Sequence, residues 1–209
     1  MAFINVSQIR NSGGRLNDSR NSYAVVEFAT QAYRQEDLKL FFDTYTSITT
    51  NSSPIYLPID GGYMGTGLDS STLGESNLDL EFAMSLVYPQ PVTLYQVGDD
   101  DVSRPASNNN FLDAIDTSYC TYDGGDDPTW DAIYPHNSSA AAYQGQPDCG
   151  IYKPASVMSE KKVLYHARTF NSDASLRSIS YGLNEASHPA AYFERQCYEY
   201  MKLGLMGVT

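Results

Sequence analysis

The chain has 209 residues, 42% of them hydrophobic, which is enough apolar material for a core and excludes general disorder. A formal net charge of −12 and a pI of about 4.4 set it against phosphate backbones and anionic lipid surfaces, so neither nucleic acid nor membrane is an expected partner. No run approaches the roughly 20 apolar residues of a membrane span, and residues 1–14 hold no apolar core of signal-peptide length.

Residues 23–28, YAVVEF, read as a buried strand, apolar and β-branched with one acid near the end. The run 31–45 reads as a helix, with Leu38, Phe41 and Phe42 on one face and Glu36 and Asp37 near its start, where the dipole favours them. Asn51 to Pro54 is turn-like, and Ile55 to Ile59 is a short strand closed by Asp60-Gly61-Gly62. Residues 75–87 form the strongest amphipathic helix candidate. Leu78, Phe82 and Leu86 recur there at four-residue spacing, and Pro89 and Pro91 end the run. Residues 92–97 are another strand, 98–110 a polar loop and 111–118 a short helix.

Residues 119–150 are rich in Gly, Asp, Pro and Ser, a loop that a Cys120–Cys149 bridge would pin. Cys197 is then left without an evident partner, and no cysteine spacing suggests zinc. Ser178 to Tyr181 is a strand end, 187–203 a helix stopped by Gly204, and a further strand starts at Met206. Strand and helix alternate, which predicts an α/β sheet, mostly parallel, flanked by helices. Function in such sheets lies at the carboxyl ends of the strands. No repeat or linker divides the chain.

The composition is rich in Tyr, Ser and Asn, with 17 Tyr, and carries Asn-x-Ser sequons at Asn5, Asn17, Asn51 and Asn137. That reads as extracellular, against the missing secretion signal. His136, His166 and His188 sit in irregular surroundings and no Gly-x-Ser-x-Gly elbow is present, so a Ser-His-Asp site is not expected.

Glu75 and Asp79 are the candidate chemistry. Four residues apart on a helix, both carboxylates share one face, and their titrations couple. A carboxylate that holds a proton for its neighbour suits acid/base work at low pH. A plainer reading stands beside it: Thr72 to Glu75 fits a capping box, which would leave Asp79 an ordinary solvated acid.

The run GESNLDLEFAMSLVYPQPVTLYQ resembles the helix and following strand of the sedolisins, serine-carboxyl peptidases, and in particular fungal secreted tripeptidyl-peptidases. AVVEF with QEDLKLFF, LPIDGG, FLDAIDTSYCTY, CGIYKP, ISYGLNE and PAAYFERQCYEYMKLGLMGV resemble other family segments in the same order. The likeness covers residues 22–158 and 178–209 of one partial peptidase domain, 1–209. It implies a subtilisin-like fold with a Ser-Glu-Asp triad, in which Glu75 is the general base and Asp79 orients it. Glu27 matches an acid that extends the hydrogen-bond network, or else is a strand-end acid facing solvent. Tyr181 sits where some members have Trp, and Ser180, Tyr181 and Gly182 would offer backbone to an extended peptide.

Departures from the pattern matter as much. The family's Ser-Gly-Asp-Ser-Gly strand, with its oxyanion aspartate, and the Gly-Thr-Ser nucleophile motif do not occur in these residues, nor does the calcium site. The resemblance therefore implies calcium for the parent enzyme outside this chain, and a fragment inactive by itself. Residues 159–177 interrupt the likeness, as a retained intron or a genuine surface loop. Two non-peptidase alternatives remain: a non-catalytic secreted glycoprotein acting as an interaction module, and a truncated gene-model product.

Overall fold

Apolar, β-branched runs make the strands, and the sheet buries them from both sides. The computed structural model describes residues 23–48, 51–62, 70–98, 108–120, 150, 176–182, 184–205 and 208. Strands β1 (Tyr23–Phe28), β2 (Ile55–Ile59) and β3 (Val92–Val97) fall where the hydrophobic pattern predicts them. Strand β4 (Leu176–Ile179) starts two residues earlier than the pattern suggests. All pairings are parallel, in the order β2-β3-β1-β4. The expected α/β class with a mostly parallel sheet and flanking helices is therefore the observed one.

Strand alternation sorts the core into two layers. Val25, Val92 and Leu94 face helices α1 (Gln35–Tyr45) and α2 (Ser70–Val87), packing with Leu38, Phe42, Leu80, Ala83 and Met84. Ala24, Val26, Phe28, Tyr95 and Val97 face the opposite way. There they meet Phe111, Leu112 and Ile115 of α3 (Asn108–Ile115), Tyr119 of the short turn α4 (Thr117–Cys120) and Leu203 of α5 (Ala190–Leu205). A 3₁₀ turn, Glu185–Ser187, precedes α5.

Four helix expectations are corrected. Helix α2 starts at Ser70, not at residue 75, so Thr72 lies inside the helix and the capping-box reading fails. Its carbonyl instead accepts from Ala32 N at 3.0 Å. The stripe Leu78, Phe82 and Leu86 is the outer face, 49%, 52% and 44% exposed, while Leu73, Ser76, Leu80, Ala83 and Met84 face inward. The inner face is chosen by what the sheet presents: a carboxyl group on β1 meets Ser76, where an apolar side chain would leave it unsolvated. Helix α3 begins at Asn108, inside the segment expected to be loop, because Asn109 and Asn110 are buried and bonded rather than solvated. Asn110 donates to Asp60 Oδ2 at 2.8 Å and Asn109 to Asp113 Oδ2 at 3.0 Å. Helix α5 likewise runs Ala190–Leu205 rather than 187–203.

Helix α1 is capped across the helix pair. Its N-cap residue Arg34 has no side-chain cap of its own kind, and Asn77 Oδ1 on α2 accepts from Arg34 N at 3.0 Å. Asn77 Nδ2 also donates to Asp37 Oδ2 at 2.8 Å, which ties the first turn of α1 to α2.

Past β2 the chain turns tightly. Asp60 and Gly61 take positive φ of 47° and 80°. At Gly62 a Cβ would lie 1.8 Å from the Gln96 carbonyl oxygen, and at Gly98 one would lie 2.3 Å from Gly62 N, so both positions need glycine. This crossing closes the carboxyl end of β2 onto that of β3.

Candidate active site

Glu27 is the fifth residue of β1 and points to the same side as Val25, under the first turns of α2. Its carboxyl is fully buried. Ser76 Oγ donates to Oε2 at 2.8 Å, and Tyr181 OH donates to the same oxygen at 2.6 Å. Oε1 is buried with no partner among the described residues. Burial pushes the Glu27 carboxyl up to about 7. The Tyr181 and Ser76 hydrogen bonds pull it down, and the charges of Asp79 and Glu75 push it up further. The alternative of a solvent-facing strand-end acid is thereby overturned.

Tyr181 reaches this carboxyl from two residues beyond β4. Strand pairing fixes the approach, with Val25 opposite Ser178 and Val26 opposite Ile179. The Tyr181 ring meets Phe28 edge-on at 5.0 Å between centroids. Burial, then the charge and hydrogen bond of Glu27, raise the phenol well above its ordinary range. Ser180 and Gly182, on either side, are exposed, and nothing lies within 4 Å of the position a Cβ would take at Gly182.

Glu75 and Asp79 stand on consecutive turns of α2, both half-buried, flanking buried Ser76. No hydrogen bond joins the two carboxylates among the described residues, and Asp79 Oδ2 is buried without a partner there. Three carboxyl groups thus gather at the carboxyl ends of parallel strands, where such sheets place their ligand crevice. A buried carboxyl near 7 stays protonated in acid and then adds no charge beside Glu75 and Asp79.

Other expected positions are spread out or lie elsewhere. Asn51 is exposed at a turn; Asn5, Asn17 and Asn137 fall outside the described residues. So do Cys149, His136 and His166, and residues 159–175. Cys197 is a free, exposed thiol. His188 stacks on Tyr192 at 4.7 Å between centroids. Among the described residues no group of three or more His, Cys, Asp and Glu is placed to hold a metal ion, and no helix is long and apolar enough to cross a membrane.

Two glutamines at the site escaped sequence reasoning. Gln96, on β3 opposite Glu27, donates to Gln31 O at 2.9 Å. Gln31 in turn contacts the first turns of α2. A polar residue closing an apolar strand was the available signal.

No protein-family model matches the chain. Aorsin of Aspergillus oryzae is 40% identical over 184 residues, which is 85% of this chain and 25% of aorsin. Tripeptidyl-peptidase SED1 of Arthroderma otae is 36% identical over 195 residues, 90% of this chain and 25% of the relative. Tripeptidyl-peptidase sed1 of Aspergillus fumigatus is 36% identical over 194 residues, 90% of this chain and 26% of the relative. The chain spans about a quarter of the length of the curated relatives it matches. At this identity over most of its length, the chain is a homologue of one part of these fungal proteins, in keeping with the sedolisin resemblance of its sequence.

Proposed function

We propose that the chain supplies the acidic half of a serine-carboxyl peptidase site that cuts peptides in acid, as a tripeptidyl-peptidase or an endopeptidase. The observation that carries this reading is the convergence of Glu27, Glu75 and Asp79 at one end of a parallel sheet, with Glu27 held by Ser76 and Tyr181.

In this reading Glu75 takes the proton of a serine hydroxyl as that oxygen attacks the peptide carbonyl. It then returns the proton to the leaving amine. Asp79 positions Glu75 and compensates the charge change. A carboxylate can act as base at a pH where imidazole would be fully protonated. The serine and the group that stabilises the oxyanion would come from residues outside these 209. Ser180, Tyr181 and Gly182 would border the substrate. The reading also implies an extracellular parent, glycan attachment at exposed Asn51, and calcium held by residues beyond this chain.

The test is turnover of peptides with free N-termini, and of internally quenched peptides, by the full-length protein at acid pH. Glu75→Gln should lower kcat by roughly 10⁴–10⁶-fold, as loss of a triad member does. A variant within a few-fold of wild type sinks the assignment of the base. The 209-residue chain alone should show no turnover, and measurable cleavage that Glu75→Gln abolishes would overturn that part.

A further inference from the structure

Helix α2 carries Glu75 on its second turn, and a side chain from another segment grips that turn. Gln31 lies in the β1–α1 connection. Its Nε2 donates to the Ser71 carbonyl at 2.8 Å, and its Oε1 accepts from Glu75 N at 3.3 Å. Ser71 C=O and Glu75 N–H are the i−4 and i members of one helical rung. The Gln31 amide therefore matches both polar groups of a single rung, the one that ends at the proposed base. Its neighbour Ala32 donates to Thr72 O at 3.0 Å, one residue further along.

The grip is itself anchored. Gln31 N donates to Phe28 O at 2.9 Å, and Gln31 O accepts from Gln96 Nε2 at 2.9 Å. Gln96 is buried on β3, opposite Glu27 in the strand register. One continuous path thus runs from the sheet, through two carboxamides, to the backbone of Glu75. A side chain that meets a helical rung fixes the local pitch and direction of that turn.

We infer that Gln31 is a positioning residue for the Glu75 base, holding the α2 turn at a set height and rotation over the strand ends. This deepens the peptidase reading above and rests on it. Among the described residues no hydrogen bond joins Gln31 to the Glu75 carboxylate, so its hold on that residue runs through the backbone. Misplacing a catalytic group by about 1 Å costs on the order of 100-fold in rate, and loss of the grip should cost a tenth to the whole of that factor.

The experiment compares Gln31→Ala and Gln31→Glu with wild type in the full-length protein, reading kcat, KM and thermal midpoint across acid pH. Gln31→Ala should lower kcat by roughly 10–100-fold while KM stays within about twofold. Gln31→Glu adds a reading that simple destabilisation would not produce. A neutral carboxylic acid can both donate to Ser71 O and accept from Glu75 N, whereas a carboxylate cannot donate. Its kcat should approach wild type below about pH 4 and fall towards the alanine variant as the carboxyl ionises. A Gln31→Ala kcat within twofold of wild type, or a loss that follows the folded fraction, overturns the inference, as does a Gln31→Glu variant equally slow at every pH. An inactive wild-type protein overturns the peptidase reading itself, a different result from an active wild type indifferent to Gln31.

Discussion

Glu27 and Glu199 are both buried glutamates whose carboxyls are pushed up to about 7, yet they are stabilised in opposite ways. Glu27 sits on the α2 side of the sheet with two hydroxyl donors. Glu199 sits on α5 on the other side, beside a cation and a second carboxyl. Lys202 Nζ lies 2.6 Å from Glu199 Oε2 and 2.6 Å from Asp116 Oδ2. Burial and the hydrogen bond to Asp116 raise Glu199. Asp116, though buried, is held down at about 2 by hydrogen bonds from Glu199, Lys202 and Ser118. The proton of that pair therefore resides on Glu199. Nearby, the Arg195 guanidinium lies 3.6 Å from the Tyr119 ring centroid and donates to the Tyr119 carbonyl, holding α5 against α4. The second cluster is a joint closed by its cation. Among the described residues no cation bonds Glu27, and Glu27 Oε1 and Asp79 Oδ2 are buried there without a partner, as Glu199 Oε1 is in the second cluster.

Removing the cation should break the comparison most sharply. Lys202→Met leaves two carboxyls buried together and should cost about 2–3 kcal/mol in denaturant unfolding, a figure lowered because Lys202 is one-third exposed. Nothing corresponding can be removed at Glu27. Loss of only a few tenths of a kcal/mol would mean that the joint is loose.

Next in size is pH dependence. Both glutamates bind a proton more tightly folded than unfolded. Their contribution is full below the ordinary value of 4.5 and is lost as pH rises towards about 7. Asp116 works the other way: its contribution is present above 3.8 and is lost as pH falls towards about 2. Unfolding free energy should therefore decline between pH 4.5 and 7, by on the order of 2 kcal/mol per glutamate. Glu27→Gln and Glu199→Gln should each flatten part of that decline. Unchanged slopes in both variants would contradict the burial described for them.

The smallest expected effect sharpens the first region alone. Tyr181→Phe removes one of the two donors to Glu27 Oε2 and should destabilise by about 1 kcal/mol, while raising the Glu27 titration seen by NMR. A lowered Glu27 titration would count against the hydrogen bond.

The strands were legible because a parallel sheet buried on both faces demands short continuous apolar runs, and YAVVEF, IYLPI and VTLYQV are such runs. Helix faces were not. Leu78, Phe82 and Leu86 form the more apolar stripe of α2, yet Phe82 packs sideways on Phe41 at 5.7 Å while Ser76 turns inward to Glu27. A single buried acid decided the rotation of the helix, and pattern counting does not weigh it. Asn108 to Asn110 looked like loop because their partners, Asp60 among them, lie as far as 50 residues away. Spacing alone supplied Glu75 and Asp79 as a pair. Glu27 and Tyr181 are 154 residues apart, and only family resemblance joined them before the fold did. The joint of Asp116 with Lys202, 86 residues apart, left no local trace at all.

The glycine crossing at Gly62 and Gly98 has a reach beyond its own turn. A single added methyl at Gly62 must displace the Gln96 carbonyl, and Gln96 is the residue whose side chain anchors Gln31. Steric crowding at a corner with no reactive group would thus be transmitted, through one glutamine's backbone and then its amide, to the helical turn of Glu75. Mutational tolerance there is set by the space of one carbon atom, and exceeding it would cost alignment at Glu75 along with stability at the corner.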